Sequence, residues 1–96
     1  MKQLNIGLFG FGNVAHGLYD VLKRIDSKSV TIRHICVRDI NKERGVDAKF
    51  TSNPDDIFND RDINLIVEVI DDAEAAYEIV KRALKMRIPV VSGNKK

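Results

Sequence analysis

Apolar and polar residues follow two alternating periods along the chain, and these periods predict strands and helices in turn. Apolar runs over residues 4–9, 30–37 and 65–70 predict strands, and Val90-Val91 begin a further one. From Asn13 to Ile25, and again after Ala73, apolar residues recur at helical spacing and form one continuous face. This alternation is typical of an α/β fold, so we expect a parallel sheet of about four strands with helices on both faces.

Polar residues mark where two of the helices begin. Asn53 is a predicted cap for a short helix that starts at Pro54 and ends near Asn59. Asp71 is the predicted cap of the later helix, with Glu74 reaching back to it as in a capping box.

Length, charge and cysteine content limit the classes of protein and of binding partner that fit this chain. The chain has 96 residues, which is enough for one domain, and its net charge of +2 is too balanced to indicate nucleic-acid binding. The apolar runs are too short to cross a membrane, so we expect no membrane partner. A single cysteine, Cys36, excludes an internal disulfide, and the cytoplasm is the expected location.

The turn after the first predicted strand carries the pattern G-x-G-x-x-A over residues 10–15. Gly10 permits a tight turn, Gly12 lets a pyrophosphate approach the backbone, and Ala15 lets the helix pack closely on the sheet. In this strand–turn–helix context the pattern predicts a Rossmann-type fold that binds a dinucleotide at a helix N-terminus. The alternative is a structural turn without a ligand.

The end of the second strand predicts the contact with the adenosine ribose. Arg38 would accommodate the 2′-phosphate of NADP, whereas Asp39 would accept from the ribose hydroxyls of NAD. Lys49 is a second candidate for the 2′-phosphate. The cofactor is therefore expected to be NADP or NAD, and the alternative is a surface Arg38–Asp39 pair without a ligand.

Other chemically capable residues favour structural roles. His34 and Cys36 are predicted to share one face of the second strand with Val30 and Ile32, which indicates core packing, and we expect no metal site. Glu68 lies within an apolar strand and needs partners if it is buried. Its place near a strand's carboxyl end is also compatible with a functional role.

Five segments occur in an order that resembles the N-terminal nucleotide-binding domain of homoserine dehydrogenase. They are GLFGFGNV at 7–14, VRD at 37–39, RGVD at 44–47, VEVI at 67–70 and VSGNK at 91–95. This family interconverts L-homoserine and L-aspartate 4-semialdehyde with NAD(P)(H), on the route to threonine, isoleucine and methionine.

The resemblance implies a set of cofactor-binding residues, with the nicotinamide half near Ser92. That set is Gly10, Phe11, Gly12, Asn13, Val14, Arg38, Asp39, Ile70 and Ser92. Lys95 corresponds to the family's lysine at the domain junction and is the candidate catalytic residue.

The chain departs from the family in one motif and in length. Asp71-Asp72 stands where the family usually has Gly-Gly, so either these carboxylates cap a helix or they repel an anionic cofactor. The 96 residues hold only segments of the nucleotide-binding domain, so we expect a fragment that binds cofactor without turnover and self-associates as a homo-oligomer through an exposed edge strand. The alternatives are a non-catalytic NAD(P)-binding or redox-sensing module and a related amino-acid dehydrogenase.

Overall fold

A computed structural model describes residues 3–25, 29–42, 45 and 48–93. Five strands and three helices occur in these ranges: β1 (Leu4–Phe9), α1 (Asn13–Ile25), β2 (Val30–Cys36), β3 (Phe50–Thr51), α2 (Asp55–Phe58), β4 (Leu65–Glu68), α3 (Ala73–Lys85) and β5 (Val90–Ser92). None of these helices has both the length and the apolar character that crossing a bilayer requires.

The strands form one sheet in the order β3-β2-β1-β4-β5, and every neighbouring pair is parallel. The predicted α/β fold of the Rossmann type is therefore confirmed. The sheet has five strands, one more than the four segments that the sequence indicates. The additional strand, β3, pairs Phe50 with Ile35 and Thr51 with Cys36. Two residues are too short to produce a periodic signal.

Helices cover both faces of the sheet, as predicted. Leu8 and Phe9 are adjacent in β1 yet belong to different buried clusters, so this central strand is covered on both sides. The cluster on the α1 face consists of Ile6, Leu8, Ala15, Tyr19, Ile35, Val37 and Val67. The cluster on the face of α2 and α3 consists of Phe9, Cys36, Ile57, Phe58, Ile63, Ile66, Ile79 and Ala83.

A register shift in β2 corrects one expectation. Ile6 pairs with Ile32, but the next residue, Gly7, pairs with His34, so β2 holds one extra residue at Arg33. Val30 and Ile32 consequently pack on the α1 face, whereas Cys36 packs on the other face. The prediction that His34 and Cys36 share a face with Val30 and Ile32 was wrong, because an extra residue reverses the alternation of a strand.

The starts of α2 and α3 each lie one residue later than predicted. Asp72, not Asp71, caps α3: its Oδ1 accepts from the amides of Glu74 at 2.9 Å and Ala75 at 3.2 Å. The two aspartates are chemically equal as caps, so the local sequence does not distinguish them. Asn53 is not the cap of α2: its Oδ1 accepts from the Asp55 amide at 3.0 Å in a turn before the helix, Pro54 is the N-cap and α2 begins at Asp55, so both positions lie one residue later than predicted.

Gly7 is required by packing, and replacing it with alanine tests the core on the α2 and α3 face. A Cβ at Gly7 would overlap Ile57 Cγ2 and lie 3.2 Å from the Cδ1 atoms of Ile63 and Ile66. Because this region is fully packed, we expect Gly7→Ala to lower the free energy of unfolding by about 1–3 kcal/mol. Urea unfolding followed by circular dichroism measures the change.

Gly17 provides the matched control, since its Cβ would meet no atom within 4 Å. Gly17→Ala adds the same methyl group to an exposed helix position and should raise the free energy of unfolding by about 0.5–1 kcal/mol. The packing interpretation fails if both variants shift the unfolding midpoint in the same direction.

Candidate functional site

A cleft of about 1030 Å³ opens at the carboxyl edge of the sheet, above the junction of β1 and β4. Chain connections leave these two neighbouring strands toward opposite sides, which is where ligands bind in open α/β sheets. The glycine-rich turn forms one wall, the residues that follow β4 form another, and the end of β2 completes the rim.

Gly10 brings the first two walls together. It adopts a φ of +93°, and a Cβ there would lie 3.0 Å from the carbonyl oxygen of Val69. Its amide donates to the Cys36 carbonyl at 2.8 Å, while the Val69 amide donates to the Phe9 carbonyl at 3.0 Å. Only glycine tolerates both the positive φ and this close approach, so the predicted tight turn is confirmed.

Gly12 leaves room for a ligand. A Cβ at Gly12 would meet no protein atom within 4 Å, although the residue lines the cleft. Packing therefore does not require glycine here, whereas an anion close to the backbone does. The Gly12 carbonyl accepts from the His16 amide at 2.9 Å, so α1 begins at this point and directs its first amides toward the cleft. This geometry fits a dinucleotide pyrophosphate.

Phe11 is anchored by other aromatic rings. Its ring centroid lies 5.2 Å from that of His16, 6.0 Å from Tyr19 and 5.4 Å from Phe50. The contact with Phe50 joins the glycine-rich turn to β3. These contacts hold the turn against α1 and β3.

Basic side chains occupy the rim after β2. Arg38 and Lys42 line the cleft. Asp39 does not: its Oδ1 accepts from the Asn41 amide at 2.9 Å in the following turn. Lys49 lies in a separate groove on the α1 face beside Tyr19 and does not line the cleft.

Asp71 and Asp72 line the opposite wall of the cleft. Asp72 also caps α3, which is the first of the two alternatives that the sequence presents, and its side chain still lines the cleft. Its Oδ2 lies 3.8 Å from the Nη2 atom of Arg38 across the mouth of the cleft.

Glu68 is fully buried, and both of its carboxylate oxygens have partners. Oε1 accepts from the Ile70 amide and Oε2 accepts from the Ser92 hydroxyl, each at 2.6 Å. Ile70 and Gly93 line the cleft, whereas the predicted cofactor-binding residue Ser92 does not. Glu68 thus joins the ends of β4 and β5.

Some predicted residues lie outside the described part of the chain. These are Lys95, the candidate catalytic residue, together with Asn94 and, in the RGVD segment, Arg44, Val46 and Asp47. Among the residues that are described, no three His, Cys, Asp or Glu side chains converge to hold a metal ion.

The structure brings seven predicted cofactor-binding residues to the cleft: Gly10, Phe11, Gly12, Asn13, Val14, Arg38 and Ile70. It also adds residues that sequence reasoning missed, namely Lys42, Ser52, Pro54, Ala75, Glu78 and Ile79. Lys42 lies four residues after Arg38 in the same loop, so a second basic residue close to Arg38 in sequence could have predicted its place at the cleft. The others reach the cleft through tertiary packing and leave no local pattern.

Comparisons with known proteins agree with this geometry. The family model described as "Homoserine dehydrogenase, NAD binding domain" matches residues 10–96. The homoserine dehydrogenase of Bacillus subtilis is 30% identical over 99% of this chain, which covers 24% of that protein. The Helicobacter pylori enzyme is 28% identical over 98% of this chain and is also covered to 24%.

Solved structures show the same relationship. A crystal structure of S. aureus homoserine dehydrogenase at pH 7.0 superposes with a TM-score of 0.89 and 32% identity, covering 100% of this chain and 27% of that one. The homoserine dehydrogenase of Thiobacillus denitrificans superposes with a TM-score of 0.86 and 31% identity, covering 99% of this chain and 24% of that one.

The chain spans about a quarter of the length of the curated relatives it matches. The family model nevertheless covers the glycine-rich turn and every described strand after β1. With its parallel sheet and its glycine-lined cleft, the chain belongs to the family of homoserine dehydrogenase NAD-binding domains.

Proposed function

We propose that this chain is the cofactor-binding part of an NAD(P)-dependent homoserine dehydrogenase, which interconverts L-homoserine and L-aspartate 4-semialdehyde. The observation that carries the proposal is the open space at Gly12, beside the first amides of α1. A helix N-terminus with no side chain in front of it is suited to bind a diphosphate.

Each wall of the cleft has its own task in this proposal. Gly10, Gly12 and the start of α1 hold the pyrophosphate, while Arg38 and Lys42 face the adenosine ribose and any 2′-phosphate. Ile70 bounds the nicotinamide half and is held by Glu68, which also accepts from the Ser92 hydroxyl at the adjoining end of β5. NAD(P)H supplies a hydride when bound, and the chain's contribution is to bind and orient it.

The whole reaction needs a second substrate held about 3–3.5 Å from the hydride donor. The homoserine dehydrogenases that this chain matches are about four times as long. We therefore expect the 96-residue chain to bind cofactor without turnover, with the remaining chemistry supplied by a catalytic domain. Its place is in the cytoplasm, in the biosynthesis of threonine, isoleucine and methionine.

Replacing Gly12 with serine tests the proposed function directly. Serine is a good residue at a helix start, so stability should be preserved, but its side chain would project into the cleft. We expect binding of both NAD(H) and NADP(H) to weaken by at least about tenfold, the equivalent of 1.4 kcal/mol. Isothermal titration calorimetry measures the affinities.

Gly17→Ser is the control, since it adds the same atoms to α1 at an exposed position outside the cleft. It should leave both affinities unchanged. Cofactor binding that survives in Gly12→Ser would remove the basis of the proposal.

Arg38→Ala tests the proposed contact with the 2′-phosphate. A hydrogen bond to a charged group is worth about 1.5–3 kcal/mol, so NADP(H) binding should weaken by about tenfold or more while NAD(H) binding changes little. Arg61→Ala removes an exposed arginine near the opposite edge of the sheet and should affect neither nucleotide. Equal losses for NAD(H) and NADP(H) in Arg38→Ala would contradict the assignment.

Self-association through β5 is the proposed oligomeric contact. β5 is an edge strand, and exposed apolar side chains lie on it (Val91) and on α3 (Tyr77 and Leu84). Unpaired strand edges and apolar patches favour pairing between copies. Light scattering should show a mass above 10.8 kDa that falls on dilution, and Val91→Lys should favour the monomer. A strictly monomeric chain at high concentration would refute this contact.

A further inference from the structure

A charged pair spans the mouth of the cleft. Arg38 approaches from the end of β2 and Asp72 from the start of α3, with 3.8 Å between Nη2 and Oδ2. Both residues line the cleft. The pair therefore links two walls of the cleft, and a nucleotide bound between these walls would contact one or both residues of the pair.

The Asp72 carboxylate is held in position by the backbone. Its Oδ1 accepts from the amides of Glu74 and Ala75, which leaves Oδ2 as the oxygen nearer Arg38. The Arg38 side chain, by contrast, is 83% exposed and can move toward another anion. The cleft thus contains a carboxylate anchored by backbone amides next to an exposed guanidinium.

We propose that Asp72 is a specificity-determining residue, whose carboxylate competes with the 2′-phosphate of NADP for Arg38 and so reduces the preference for NADP over NAD. The inference rests on the proposed function of the cleft. NAD carries a hydroxyl at this position and does not need Arg38 as a counter-ion, so its binding meets no such competition. A 2′-phosphate must displace a resident anion before it can bind.

The size of the effect follows from the exposure of the pair. The interaction free energy of an exposed ion pair is small. Removing the competing charge should therefore increase the ratio of NADP affinity to NAD affinity by about two- to fivefold. The increase should shrink as salt is raised, because the Debye length falls from about 10 Å at 0.1 M to about 3 Å at 1 M.

Asp72→Asn removes the negative charge next to Arg38 but keeps a side-chain oxygen that can cap α3. Asparagine caps helices about as well as aspartate, so α3 should keep its start and the chain its stability. Calorimetric titration of the 96-residue chain with NAD and NADP gives the affinity ratio. Adenosine 5′-monophosphate and adenosine 2′,5′-bisphosphate serve as smaller probes of the same difference.

Asp71→Asn is the matched control, because it removes the same charge from the same wall one residue away. It should alter the binding of both nucleotides in parallel and leave their ratio unchanged. A ratio that does not rise in Asp72→Asn, or that rises equally in Asp71→Asn, overturns the inference.

A double-mutant cycle tests whether the effect acts through Arg38. In an Arg38→Ala background, Asp72→Asn should leave the affinity ratio unchanged. A ratio that still rises there indicates direct repulsion of the phosphate and overturns the proposed competition. A chain that binds neither nucleotide overturns the proposed function and this inference together, whereas intact binding with an unchanged ratio overturns the inference alone.

Discussion

The close approach of Gly10 to the backbone of Val69 is the constraint on which the site depends. With a φ of +93° and only 3.0 Å between a hypothetical Cβ and the Val69 carbonyl oxygen, this position accepts no side chain. The amide of the same residue is tied to Cys36 at the end of β2. One glycine therefore sets the relative positions of the ends of β1, β2 and β4, and these three ends form the cleft.

Acidic residues near the cleft are largely committed to the protein's own structure. Glu68 uses both oxygens to join the ends of β4 and β5, Asp39 closes a turn, and Asp72 caps α3. A carboxylate that accepts from protein donors has part of its negative charge compensated by those donors. The acidic wall is for this reason compatible with a phosphate-binding cleft.

The sequence predicts those features that a single segment can determine alone. The bounds of α1 agree with the periodicity, because 13 residues provide several turns of a consistent apolar face. The glycine-rich turn was recognisable because its neighbours are a strand and a helix. Both predictions depend on patterns that are local in sequence, even though the contacts of Gly10 with Cys36 and Val69 are not.

Features that depend on partners distant in the chain were not predictable in the same way. β3 exists because Phe50 and Thr51 lie beside Ile35 and Cys36, and the extra residue at Arg33 arises from pairing with β1. Asp72 rather than Asp71 caps α3 although both are equally suited to the role. Lys42 reaches the cleft and Lys49 does not, which is a result of how the loop after β2 folds back.

The side chains that line the cleft are better suited to binding a cofactor than to acting as reactive groups themselves. Cys36 is the one thiol that lines it, and burial, with the nearby Asp56 carboxylate, raises the pKa of that thiol to about 11. At neutral pH such a thiol stays protonated, so it is a poor nucleophile and a poor redox sensor. Arg38 and Lys42 are suited to binding phosphate, and Glu68 is enclosed by its own partners. The described residues of the cleft are therefore better suited to holding a cofactor than to thiol chemistry.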